Sequence, residues 1–241
     1  MRTASLYQWP TNAKLGRVIP KSKLFEQRSI SAKVREEFVS QVQRITWAYK
    51  LADETIHLQG DEIVPEIQVL SVDAKGEDIS DDVLAEIDKA IQSPIIFEIN
   101  RDTGAEKCTR MTAAYKRHNG KSSYRSLYFT TEWQPVDAPR ARMPIVLNLR
   151  NLYSALLTPM IPLEARPGED IVDNIGRIEQ VRKLEREVKL LEKKLWVEPQ
   201  LNRKVELRRD LNELTAKMIA LLDSSEEGRV THENEDAEWT N

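Results

Sequence analysis

The 241-residue sequence has one cysteine, Cys108, so no disulfide can close within the chain and a disulfide-stapled secreted scaffold is excluded. Its three histidines, His57, His118 and His232, are scattered, and no His/Cys pair has the spacing of a zinc site. Each reads as a surface or turn residue. Glycine is scarce, at 8 residues, and nowhere gathers into a loop able to cradle phosphates. There is no Gly-x-Ser-x-Gly elbow to expose a nucleophilic serine, and Cys108, inside a predicted strand, reads as a buried structural thiol. No apolar run approaches the roughly 18 residues of a membrane span, and Met1 to Tyr7 lacks the apolar stretch of a signal peptide. These absences predict a cytoplasmic, non-membrane protein with no recognisable catalytic centre and no expected metal or cofactor.

Charge is plentiful, at 31% of residues, and unevenly placed. Residues 1–60 hold 10 Lys and Arg against 5 Asp and Glu, residues 61–100 hold 2 against 11, and residues 101–150 hold 10 against 4. Two basic blocks around an acidic one predict a surface with distinct electrostatic faces.

The fold expected is α+β: a mostly antiparallel sheet of about four or five strands with packed helices, then a long C-terminal helical hairpin or coiled-coil arm. Ser31 is an N-cap candidate. Val34, Phe38, Val42, Ile45 and Tyr49 recur at steps of 3 or 4, predicting one helix to about Leu51. Strands are expected at Ile67–Val72 and Ile95–Ile99, with a short helix between them started by Asp81 or Asp82. Residues 107–117 and 122–132 should pair around Asn119-Gly120, a strong hairpin signal. A further helix is expected from Leu147 to Leu157.

This α+β domain spans 1–165, the arm 169–223, and an acidic tail, expected to be disordered, 224–241. In the arm, Asp170 caps a helix carrying Ile171, Ile175, Ile178, Val181, Leu184, Val188, Leu191 and Leu195, and a second stripe runs through Leu207, Leu211, Leu214, Met218 and Leu221. In one straight helix the stripes would lie roughly 120° apart. Pro199 inside a helix would cost about 3 kcal/mol. A break near Trp196–Pro199, with the helices folding back, is therefore expected.

Two surfaces carry function candidates. Lys107, Arg110, Lys116, Arg117, Lys121 and Arg125 interleave with Tyr115, Tyr124 and Tyr128 on the predicted hairpin, and Arg17, Lys21 and Lys23 form a second basic group. Cations can neutralise phosphates and aromatic rings can stack on bases, so this is the nucleic-acid-binding candidate; the plainer reading is a sheet face kept soluble by charge. Leu184, Val188, Leu191, Leu195, Leu207, Leu211, Leu214 and Met218 are the partner-binding candidates, for another protein or for a second copy through the arm; the plainer reading is a hairpin that only braces itself. One enzymatic alternative uses Glu66 with Asp73-Ala74-Lys75, an acid followed by acid-x-Lys, to hold Mg²⁺ for nuclease chemistry. A purely structural scaffold is the third reading.

Several stretches resemble one bacterial family: Trp9-Pro10, Arg17-Val18-Ile19-Pro20-Lys21, Arg44 through Leu51, Glu66-Ile67-Gln68-Val69, Ile87 through Ile91, Pro94-Ile95-Ile96-Phe97, and Leu201 through Leu207. That family carries a domain of unknown function and is encoded beside helicases and DNA methyltransferases in defence or restriction gene clusters. The resemblance, which runs to about Leu222, implies an accessory subunit of an antiphage assembly. Helicase or methyltransferase subunits, and DNA, are the partners it implies. It carries over no catalytic residue, and Pro199 departs from the helix-friendly residues expected before Leu201.

Overall fold

The computed structural model describes residues 6–25, 31–119 and 122–223 and divides into two compact units, Met1–Pro162 and Leu163–Asn241. In chain order, the first unit contains β1 (Tyr7–Gln8), β2 (Lys14–Val18), α1 (Lys21–Phe25), α2 (Ala32–Gln41), β3 (Val42–Leu51), α3 (Asp53–Ile56), β4 (Ile67–Ala74) and α4 (Asp81–Ala90). It continues with β5 (Ile95–Asp102), β6 (Lys107–Asn119), β7 (Ser122–Thr130), β8 (Gln134–Pro135), β9 (Ala141–Arg142) and α5 (Leu149–Leu157). The second unit contains α6 (Ile171–Val197) and α7 (Leu201–Leu222). The fold is therefore α+β, with C-terminal helices that pack on each other. Lys121 and the tail 224–241 lie outside the described residues.

Among the described residues the main sheet has seven strands, ordered β2-β3-β4-β5-β6-β7 with β8 on β6. All its pairings are antiparallel except β4 with β5. A parallel pair needs a crossover, and α4 supplies it. Beside this sheet β1 pairs with β9 in parallel, and Ala141 N donates to Leu6 O at 2.8 Å.

The expected helix from Ser31 to Leu51 is half correct. Ser31 Oγ accepts from Val34 N at 3.3 Å, starting α2 as expected, but α2 stops at Gln41. The apolar steps of 3 and 4 continue through Val42, Ile45 and Tyr49 as a strand. Val42, Ile45, Thr46, Trp47 and Tyr49 are β-branched or aromatic types that suit a pleated surface, and β3 gains ladder partners on both edges. The register shift at Val42/Arg44 lets Val42 and Ile45 join one core, whereas after the shift at Trp47/Tyr49 the Tyr49 ring lies outside it, against Trp9. The sheet is larger than expected because β2 and β3 belong to it.

On one face of the sheet, Phe38 of α2 and Val83, Leu84 and Ile87 of α4 pack with Ile45, Leu70 and Phe97, all fully buried. On the other, α5 places Tyr153 against Tyr115, rings stacked at 5.7 Å. The Tyr153 hydroxyl donates to Ala114 O at 2.6 Å and accepts from Lys116 N at 3.0 Å, satisfying backbone groups at the β6 irregularity. Asn148 caps α5 by accepting from Asn151 N, a shorter start than the expected Leu147.

The loop before β4 approaches itself closely at Gly60, where a Cβ would lie 2.5 Å from Pro65 O. That neighbour is backbone and cannot swing away. We expect Gly60→Ala to lower unfolding free energy by about 1–3 kcal/mol, read from urea midpoints. Gly76→Ala, where a Cβ meets nothing within 4 Å, should leave the midpoint nearly unmoved.

Candidate functional site

The hairpin forms between the two expected strands, with Lys116 opposite Arg125 and Arg117 opposite Tyr124. Its cations do not share one face. Lys116 is 5% exposed. Its ammonium donates to Asp88 Oδ1 at 3.0 Å and to the carbonyls of Asp88 and Ile91, so it closes the C-terminal end of α4. Tyr128 Oη donates to the other Asp88 oxygen at 2.9 Å, and burial, with Asp88 beside it, pushes that phenol's pKa up. Tyr115 points the opposite way into the α5 packing.

Tyr115 and Lys116 are therefore core residues, a correction to the nucleic-acid reading. The reason is a sheet covered on both faces, where alternate β6 residues each meet a helix. Arg110 is also engaged, paired with Asp78 at 2.7 Å and lying over Trp133 at 4.8 Å. Arg101 covers the same ring at 4.3 Å.

The remaining candidates separate. Arg117 is exposed, Tyr124 is partly so, and half-buried Arg125 lies over the Tyr128 ring at 4.9 Å. All three lie towards the hairpin's end, Arg117 paired with Tyr124 on one face and Arg125 with Lys116 on the other. Lys107 sits at the opposite end of β6 with Asp102 at 3.0 Å. Arg17 is on β2, the far edge of the sheet, roughly 24 Å across five strand spacings. Lys21 donates its ammonium to Val42 O, and burial together with Lys75 lowers its pKa; Lys23 is exposed. The two basic groups do not meet.

The acid-x-Lys alternative is spread out as well. Glu66 precedes β4 and Asp73 is its penultimate residue, about 23 Å away along an extended strand. Glu66 accepts from Gln68 Nε2 at 2.6 Å and Ser93 Oγ at 2.9 Å and pairs with Lys50 at 3.0 Å. Asp73 accepts from Arg44 Nε at 2.9 Å and Asn100 Nδ2 at 3.0 Å, and Lys75 Nζ donates to Val39 O at 2.6 Å. Among the described residues no three His, Cys, Asp or Glu side chains are placed to hold a metal ion.

Sequence reasoning missed the buried Glu98, which accepts from Trp9 Nε1 at 2.7 Å and Arg140 Nη1 at 2.6 Å. A lone acid within Ile95-Ile96-Phe97-Glu98-Ile99 was the available signal, because a buried carboxylate needs partners.

In the second unit the chain breaks where Pro199 predicts, and α6 and α7 pack together. All eight partner-binding candidates are half-buried, and the stripes of the two helices face each other. Asp170 caps α6 by accepting from Val172 N and Asp173 N at 2.8 and 2.9 Å. The other end of the hairpin closes on arginines. Arg177 donates two bonds to Glu169, both 2.8 Å, and one to Leu221 O at 3.0 Å; Arg166 donates to the carbonyls of Ala220 and Asp223, both 2.8 Å. Carbonyls that α7 leaves unpaired at its end are thereby satisfied. At the turn, Glu192, Leu195, Trp196, Leu201, Lys204 and Val205 line an open groove of about 480 Å³, and Trp196 is 87% exposed.

Two outcomes follow. Asp88→Ala strands the Lys116 ammonium in the core and should cost about 3–5 kcal/mol by denaturant unfolding, whereas Asp88→Leu with Lys116→Met should recover most of the loss. Arg177 holds the Glu169 carboxyl below its ordinary pKa. A depressed carboxylate stabilises the fold above its unfolded pKa, and that stabilisation disappears as pH falls through the folded value. Thermal melts followed down through the carboxylate range should fall more steeply for the native chain than for Glu169→Gln.

No helix among the described residues is long and apolar enough to cross a membrane. No curated protein and no solved structure matches the chain. A family model described as a domain of unknown function, DUF4391, matches residues 8–218, most of the length, and the protein belongs to that family.

Proposed function

We propose that the protein is a non-enzymatic accessory subunit of a bacterial antiphage, restriction-like assembly. In this reading it works in the cytoplasm as an adaptor, docking to a helicase or DNA methyltransferase through its helical arm and touching DNA through the hairpin end. The observation that carries it is the arm's apolar outer surface. Leu190, Trp196 and Val197 of α6 stand in solvent, away from the stripe that meets α7. Exposed large apolar residues gathered at the end of an element support protein docking. Trp is also the side chain type most enriched among interface anchors. The family resemblance of Trp9-Pro10, Arg44 through Leu51 and Leu201 through Leu207 supports the defence setting and the two partner types.

Arg117, Arg125 and Tyr124 supply the DNA contact: two cations for phosphates and a ring for stacking. The engaged partners of Glu66, Asp73 and Lys75 favour the adaptor over a Mg²⁺-dependent nuclease.

The deciding measurement is purification from the native host with the bound proteins identified. A helicase or methyltransferase should accompany the native chain and be lost from Trp196→Asp with Val197→Asp. Retention by that variant, or recovery of neither enzyme, overturns the docking reading. For DNA, a salt-dependent gel shift should be weakened by Arg117→Glu with Arg125→Glu, lowering the log–log salt slope by about 2. Partner recovery without any shift leaves a protein scaffold, and Mg²⁺-dependent cleavage lost in Asp73→Ala restores the nuclease.

A further inference from the structure

The second unit has an unusual burial pattern: beyond Val181 in α6 and throughout α7, no side chain is fully buried. The inner stripes are half-covered by one neighbouring helix. Outside them, α7 carries a second line of residues that the hairpin does not use.

That line runs through Leu201, Val205, Arg208, Asn212, Thr215, Ile219 and Leu222, at steps of 4, 3, 4, 3, 4 and 3. At 100° per residue these positions fall within one band, about 110° around the helix from the Leu207–Leu221 stripe. Its apolar members are all solvent-exposed: Leu201 75%, Val205 64%, Ile219 57% and Leu222 40%. They occupy the two ends and leave Asn212 at the middle.

This arrangement is nearly its own mirror along the helix. Reversed about Asn212, Val205 falls on Ile219, and Leu201 falls within one residue of Leu222. An isologous interface requires this property, because residue i must meet j while j meets i. We propose that the outer face of α7 is a homodimer interface, in which a second copy packs its own α7 antiparallel across a two-fold axis through Asn212.

Leu201 and Val205 of each chain would then cover Leu222 and Ile219 of the other, burying four exposed apolar side chains per chain. Asn212 would meet Asn212 at the axis, where a paired polar residue fixes register and orientation. Charge permits this alignment. Arg208 comes opposite Thr215 and Ala216, and the two copies of Arg208 stay about 12 Å apart along the axis, beyond about one Debye length. A foreign helix would have no reason to match the reversal symmetry.

One helix face gives a strip of about 33 Å by 10 Å, short of the roughly 800 Å² per partner of a standard interface. The dimer should be weak and concentration-dependent. The two surfaces share the groove at the turn, where Trp196 lies beside Leu201 and Val205, but the α7 face runs on to Ile219 and Leu222. Self-association lost in Val205→Asp with Ile219→Asp and partner recovery lost in Trp196→Asp with Val197→Asp are therefore separate readouts.

Sedimentation equilibrium of the full chain over a dilution series tests it. The average mass should climb from 27.8 kDa towards twice that value, and Val205→Asp with Ile219→Asp should stay monomeric throughout with unchanged helix content by circular dichroism. With Cys108→Ala as background, chains carrying Asn212→Cys should oxidise to a linked dimer. Leu201→Cys chains should link to Leu222→Cys chains and not to themselves. A monomer at every concentration overturns the proposal, as does a dimer indifferent to the two aspartates or a Leu201→Cys self-link. So does self-association that appears only after residues 224–241 are removed, which would make the chain's own C-terminal segment the occupant.

Discussion

The first unit depends on a charge held where water does not reach. Lys116 projects from the hairpin half of the longest strand, β6, into the C-terminal end of α4, where Asp88 and two carbonyls receive its ammonium. Asp88 in turn holds the Tyr128 hydroxyl from β7. Crossover helix and hairpin are thus tied by one polar knot beneath a core of leucine, isoleucine and phenylalanine. Hydrophobic contact alone would tolerate sliding of α4 over the sheet. Fixed donors and acceptors do not, because any shift leaves a buried charge without its partner.

The same knot explains what was legible in the sequence. Local signals read through: the Ser31 and Asp170 caps, the β4 and β5 runs, the pairing of β6 with β7, and the break at Pro199. Each depends on chemistry within a few residues. The extent of α2 did not read through, because residues 42–51 satisfy a helical period and a strand's composition at once. Only the neighbours β2 and β4 decide between them.

The basic hairpin reading was limited in a similar way. Charge along a strand says nothing of direction unless the cover on each face is known, and Lys116 owes its burial to Asp88, 28 positions earlier. Arg110 is likewise committed to Asp78. Arg117 and Tyr124 keep outward access, and Arg125, opposite Lys116, is half-buried over the Tyr128 ring. The Glu98 site with Trp9 and Arg140 joins three distant segments, so sequence could mark only the acid.

Arg166 and Arg177 stand just before and early within α6, yet they hold the last carbonyls of α7. The polypeptide consequently enters and leaves the two-helix arm through one clasp. An excursion whose ends are already joined behaves as a removable module: it can lengthen or shorten by matched turns, or be grafted into another protein's loop, without asking the host to bridge a gap. A change in arm length would thereby leave the packing of the first unit's sheet untouched.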